Sequence, residues 1–231
     1  MSASESNQNK RGRKTKQQRS LVTRESILEA ALRIYAQKGF HGTNSKEIAA
    51  EAGVSIGTFY NYFTDKKELF LEVMRRHVTE VTEVIELRQR ELERQGKFHS
   101  EGMREMIEAV LAAHYLSPEF HREATAMELT DPDVAAVTAE YKKENMKLVV
   151  GWFHRYRDKL RVEDVEAAAV IVSLAMEEVV HMITISRPPV QPERLISGLA
   201  DMLSKYLFKD TPRKPGASNS LKGSPPAKCD L

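Results

Sequence analysis

The chain has 231 residues, with 35 Lys and Arg against 33 Asp and Glu, a formal net charge of +2 and 41% apolar residues. That length leaves room for one large or two modest domains with a sizeable core. A lone cysteine, Cys229, excludes an internal disulfide framework and a cysteine-built metal site, which favours a reducing, cytoplasmic setting.

The first twenty residues are basic and polar, without the apolar segment of a secretory signal. Lys10, Arg11, Arg13, Lys14, Lys16 and Arg19 stand against Glu5 alone, whereas residues 67–208 hold 19 basic and 25 acidic side chains. A basic end joined to an acidic body points to a polyanion met by the N-terminal part. Residues 1–20 are expected to be disordered. They read either as a solubilising tail or as an arm that follows DNA, with Arg11-Gly12-Arg13 reaching a narrow minor groove.

A first helix is predicted from Thr23 to Lys38, because Ile27, Leu28, Ala31, Ile34 and Tyr35 recur at helical spacing and Gly39 supplies the stop. Thr23 reads as its N-cap or as a phosphate contact.

From Thr43 to Phe63 the sequence reads as two short helices joined by a tight turn. Thr43, Asn44 and Ser45 offer capping oxygens, with Glu47 placed for a capping box. Ile48, Ala49 and Ala52 form a narrow apolar stripe, Gly53 ends the helix, Val54 plugs the turn and Ser55 caps the second helix. On a period of 3.6, Phe59 and Phe63 turn inward. Gly57, Thr58, Tyr60, Asn61 and Tyr62 turn outward, and such a face suits phosphates and base edges better than a core.

The next helix opens with the capping box Asp65-Lys66-Lys67-Glu68 and continues through Leu69, Phe70 and Val73 to about Gln95. Taken together, Tyr35-Ala36-Gln37-Lys38-Gly39-Phe40, Gly42-Thr43, Ile48-Ala49, Ala52-Gly53-Val54-Ser55, Gly57 to Phe63 and Lys66 to Leu69 resemble the DNA-binding domain of the tetracycline-repressor (TetR) family. The resemblance runs without a gap from about Thr23 to Leu71. Beyond it only the helical layout is similar, as that family's variable ligand-sensing domains imply.

Residues 98–208 read as all helix: Ser100–Leu116, Ser117–Leu129, Asp131–Tyr156, Val162–Ile185 and Pro192–Phe208. The most apolar run, Ala167–Ile185, carries Glu177, Glu178 and His181, which argues for a core helix rather than a membrane span. A helix apolar nearly all round must be covered on both sides. Val162–Ile185 and Pro192–Phe208 are therefore expected to form a four-helix bundle with a second copy, an arrangement the resemblance also implies. A monomer that covers itself is the alternative. No role is assigned to residues 209–231.

The expected fold is all-α: a basic arm over 1–20, a three-helix helix-turn-helix domain over 21–66, and a helical ligand-binding and dimerisation domain over 67–208. Candidate DNA contacts are Thr43, Ser55, Gly57, Thr58, Tyr60, Asn61, Tyr62 and Lys66, with Ile56 as a possible partner for a thymine methyl. Tyr62 reads equally as a ring packed under its helix, and Lys66 as a solvated lysine. Candidate ligand contacts are His114, Tyr115, Met127, Glu128, Trp152, Phe153, Met176, Glu177 and His181, a set of aromatics and methionines suited to an apolar or amphipathic effector. The same residues at helical spacing also make ordinary core.

Glu178-Val179-Val180-His181 has the Glu-x-x-His step of di-metal bundles, but no other histidine has a glutamate three residues before it, so no metal or other cofactor is expected. Nucleophile-elbow and Walker motifs are absent, so no enzyme is expected. The expected function is a ligand-responsive, homodimeric repressor of a palindromic operator. An architectural DNA-binding protein and an all-helical enzyme with a DNA-binding head are the alternatives.

Overall fold

The computed structural model describes residues 3–97, 100–186 and 188–209, so the tail from residue 210 onward lies outside the described residues. Among them are α1 (Ala3–Lys38), α2 (Ser45–Glu51), α3 (Ile56–Tyr60), α4 (Lys66–Arg94), α5 (Ser100–His114), α6 (Pro118–Glu128), α7 (Pro132–Arg155), α8 (Val165–Thr184) and α9 (Pro192–Leu207). The only extended pairing among the described residues is a single bridge, Leu160 to Phe208, which ties the α7–α8 connection to the end of α9.

The helix stops follow the sequence chemistry. Asn44 caps α2 by accepting from the Lys46 and Glu47 amides at 3.1 Å each. Asp65 caps α4 in the same way at 2.8 Å. The Glu68 carboxylate answers by accepting from the Thr64 amide at 2.6 Å. Gly39 and Gly53 take positive φ angles of 70° and 69° at the ends of α1 and α2, where a side chain would be strained.

One boundary differs from expectation. α1 does not begin at Thr23 but continues back to Ala3, so the stretch expected to be disordered is helical. Lys, Arg and Gln propagate a helix readily, Gly12 alone does not stop one, and no proline interrupts the run.

Two apolar clusters carry the packing. The first joins α1, α2, α3 and the start of α4 around Tyr35, Ile48, Phe59, Phe63, Leu69 and Phe70, and it also takes in Phe120, Ala124 and Met127 of α6 with Val134 and Val137 of α7. The second joins α5, α7, α8 and α9 around Ile107, Phe153, Ala169, Leu199 and Leu203. The apolar packing crosses the boundary expected at residues 66 and 67: α6 and the start of α7 share a core with the N-terminal helices. Full burial of each of Phe59, Phe70 and Phe120 is worth about 1.5–3 kcal/mol, so this shared core is a substantial bond between the two parts.

Candidate nucleic-acid interface and body cavity

The recognition segment starts at Ser55. Its hydroxyl accepts from the Thr58 amide at 3.0 Å and lies 2.9 Å from the Thr58 hydroxyl, so these two side chains cap α3. Phe59 and Phe63 point into the core at 0% and 3% exposure, which turns the opposite side of α3 outward. There Tyr60 is 55% exposed and Asn61, the C-cap, is exposed as well. A Cβ on exposed Gly57 would meet only the Ser55 hydroxyl oxygen, at 3.8 Å. Nothing within the chain requires glycine at this helical position, where it costs roughly 0.5–1 kcal/mol relative to alanine.

The other candidate DNA contacts are placed differently. Thr43 is 3% exposed and its hydroxyl donates to the Gly39 carbonyl at 2.7 Å, so it locks the α1–α2 turn. The Lys66 ammonium donates to the Phe40 and Thr43 carbonyls at 2.8 Å each and sits 4.4 Å from the Phe40 ring centroid. Two of its three donors are thus spent on the turn, and Lys66 is neither a solvated lysine nor a free cation. Tyr62 is half-buried, packs on the core and donates from its hydroxyl to Ser20 of α1 at 3.1 Å. Ile56 packs partly against the same core. The outward polar group formed by this segment is Ser55, Gly57, Thr58, Tyr60 and Asn61.

The joint between this head and the body is polar as well as apolar. Glu123 of α6 accepts from the Phe40 amide at 2.6 Å. Lys67 of α4 pairs with Asp131 at 2.9 Å and Asp133 at 2.6 Å at the start of α7. The hydrogen bond from Lys67 holds the Asp131 carboxyl below its ordinary pKa, and bonds to Asp133 and Asp131 push Lys67 up.

Between α4, α5, α6, α7 and α8, with Leu207 and Phe208 at the end of α9, lies a cavity of about 300 Å³. Of the candidate ligand contacts, His114, Glu128, Trp152, Phe153, Met176, Glu177 and His181 line it. Met127 does not: it is 4% exposed and belongs to the core shared with the head. Tyr115 is exposed and also lies outside the lining. The wall includes residues that sequence reading passed over, among them His77, Met103, Met106, His121, Thr138 and Tyr141. Their signal was the helical spacing of buried positions, which marks an inward face without telling a filled core from a hollow one. Most of the exposed lining surface is apolar. Lys142 lies 3.1 Å from Glu128 and 3.6 Å from Glu177, and the Trp152 indole donates to Glu93 at 2.8 Å.

Four histidines gather in the cavity wall. His121 and His181 approach through their Nε2 atoms at 3.1 Å, and the His114 ring lies 4.7 Å and 5.5 Å from theirs, centroid to centroid. His114 Nδ1 lies 2.8 Å from the Val110 carbonyl oxygen, one turn back on α5. His77 is 5% exposed, and its Nε2 has no hydrogen-bond partner. Burial pushes the pKa of His77 and His114 down, and burial first with the neighbouring imidazoles second takes His121 to about 3, so these rings are neutral. Of the four, only His114 and His181 had been singled out from the sequence.

Residues 27–73 match the family "Bacterial regulatory proteins, tetR family", and residues 100–207 match "Tetracyclin repressor-like, C-terminal domain". The transcriptional regulator AcrR of Shigella flexneri is 42% identical over 86 residues, 37% of this chain and 37% of that protein. The match spans 53% of the regulator YerO of Bacillus subtilis, which is 26% identical over 68% of this chain. Thus the chain spans about half or less of these curated relatives. A TetR-family regulator from Mesorhizobium loti superposes with a TM-score of 0.69 at 21% identity, covering 83% of this chain and 99% of that one. With both halves matched in order and the helix-turn-helix in place, the chain belongs to the TetR family of bacterial regulatory proteins.

Proposed function

We propose that this protein is a DNA-binding repressor that grips a palindromic operator as a homodimer and releases it when a small apolar or amphipathic molecule fills the body cavity. The observation that carries the reading is the outward side of α3: Tyr60 and Asn61 are exposed beside a glycine for which the chain itself has no use. Thr58 and Asn61 read base edges, Tyr60 grips phosphate and Gly57 lets the backbone approach.

The second copy is supported by α8. Val170, Ile171 and Leu174 are 43%, 48% and 60% exposed on a helix otherwise rich in apolar residues. A Cβ on Gly198 of α9 would meet nothing within 4 Å, which suits close approach by a partner helix. Covering α8 and α9 with the same pair from a second copy removes this apolar surface from water twice over.

Effector coupling is supported by α6, whose two sides do different work. His121 and Thr125 line the cavity, while Phe120 packs 5.3 Å from the Phe70 ring and Glu123 holds the Phe40 amide. A ligand that moves α6 therefore moves the turn entering the recognition unit, and α4 carries the rest of the displacement. By linkage, operator DNA weakens the ligand in the same proportion. The solved structure of a transcriptional regulator from Saccharomonospora viridis in complex with choline, at TM-score 0.62 and 17% identity, is a protein of this fold holding a small organic molecule.

The test is titration of an inverted repeat sought in the DNA flanking the coding region, with salt and bulk competitor DNA varied. The reading predicts two protomers per palindrome and a preference of at least ~10³ over competitor DNA. Equal affinity for both DNAs would contradict it.

A further inference from the structure

We propose that His114, His121 and His181 form a binding site for one divalent first-row metal ion, of the zinc or cobalt type, in the wall of the body cavity. One ring nitrogen from each of the three lies within 4.8 Å of the others. In a tetrahedral site with Zn–N bonds of about 2.0–2.1 Å, ligand nitrogens stand about 3.3 Å apart. The His121 to His181 separation of 3.1 Å is already close to that edge. The remaining edges close with ring movements of about 1.5 Å or less, which two side-chain torsions readily supply.

The orientation of His114 fits a ligand rather than a packing residue. With Nδ1–H donating to the Val110 carbonyl, its Nε2 carries the free lone pair, and this backbone bond fixes the ring as outer partners do at histidine metal sites. Three imidazoles leave one tetrahedral position for water or an exogenous ligand. All three line the cavity, so an anionic oxygen or nitrogen donor on a cavity-bound molecule could take that position. The buried Nε2 of His77, without a partner in the same wall, is a further polar group that such a ligand would satisfy.

The ligands come from three helices. His114 ends α5, His121 stands near the start of α6 and His181 lies in the last turn of α8. A bound ion therefore pins α6, whose neighbouring Phe120 sits in the core shared with the head.

The experiment uses the full chain without a histidine tag, stripped with chelator and titrated with Co²⁺ and then Zn²⁺. The expected result is one ion per chain, visible ligand-field bands of tetrahedral cobalt, and their loss on displacement by Zn²⁺. His121→Gln and His181→Gln should each weaken Zn²⁺ binding by about 100-fold or more, whereas His41→Gln and His154→Gln, at exposed positions, should not change it. Circular dichroism establishes that the variants fold. If they do not, paramagnetically shifted ring protons in the wild-type cobalt form, counted for three histidines, decide the ligand set. No uptake at micromolar metal, or undiminished uptake in a folded His121→Gln protein, would overturn the site. The readout is the ion itself, so the result stands whether or not the cavity signals to DNA.

Discussion

The head and the cavity are both built from helices in one chain, yet they are specified over different distances. In the head, Ser55 caps α3, Phe59 and Phe63 fix which side turns in, and the exposed side follows within nine residues. In the cavity, α4 to α8 each contribute part of the wall, and residues as distant as His77 and His181 share one space. Local chemistry determines the first arrangement. The second depends on where long helices leave a gap, which periodicity does not encode.

The largest effect that sharpens this contrast is loss of Phe59. Phe59→Ala removes a ring that is wholly buried in the head, and about 3–5 kcal/mol of stability is expected to go with it in denaturant unfolding, along with DNA binding. Trp152→Ala, on the half-buried cavity wall, is expected to cost less and to leave operator binding intact while changing effector affinity.

Ser55→Ala comes next. It removes the α3 cap, with an expected loss of about 1 kcal/mol in the free protein. Gly57→Ala should separate folding from function. With open space around the new methyl group, the free protein should gain roughly 0.5–1 kcal/mol, while operator affinity falls because the methyl stands where DNA approaches. A variant both more stable and equally tight on DNA would break the account of α3.

The smallest effect is a pH dependence at the head–body joint. Because Asp131 titrates below its unfolded value, its pairing with Lys67 stabilises the fold above about pH 4 and is lost as pH falls through the lowered pKa. Lys67, raised in the fold, contributes below about pH 10.4 and loses that contribution as pH rises through its raised pKa. Lys67→Met should therefore differ from wild type most at neutral pH, with the difference narrowing towards both extremes in thermal melts. Both partners lie at the surface, so the effect is small and should shrink with added salt.

The sequence made the helices legible because their punctuation is local: Asn44, Asp65 and Asp131 cap where capping chemistry places them, and Gly39 and Gly53 stop where they should. It was less informative about which polar side chains stay free. Thr43 and Lys66 carry the right chemistry for phosphate, but in the folded chain they donate to carbonyls of the α1–α2 turn. Met127 has the right chemistry for a cavity, yet it lies on the side of α6 that meets the head. The histidine cluster escaped the search for Glu-x-x-His steps because its members sit near the ends of three helices rather than along one face. Helix ends meet only through tertiary packing, and no single-helix spacing announces them.

The most direct measurement compares operator and competitor affinities for wild type, Tyr60→Ala and Asn61→Ala at one salt concentration. Asn61→Ala is expected to lower operator affinity by about 1–3 kcal/mol with little change on competitor DNA, and Tyr60→Ala to weaken both by similar factors, with unfolding midpoints unchanged. Wild-type affinity in both variants would mean that α3 does not face the duplex, and the account of the head would fall.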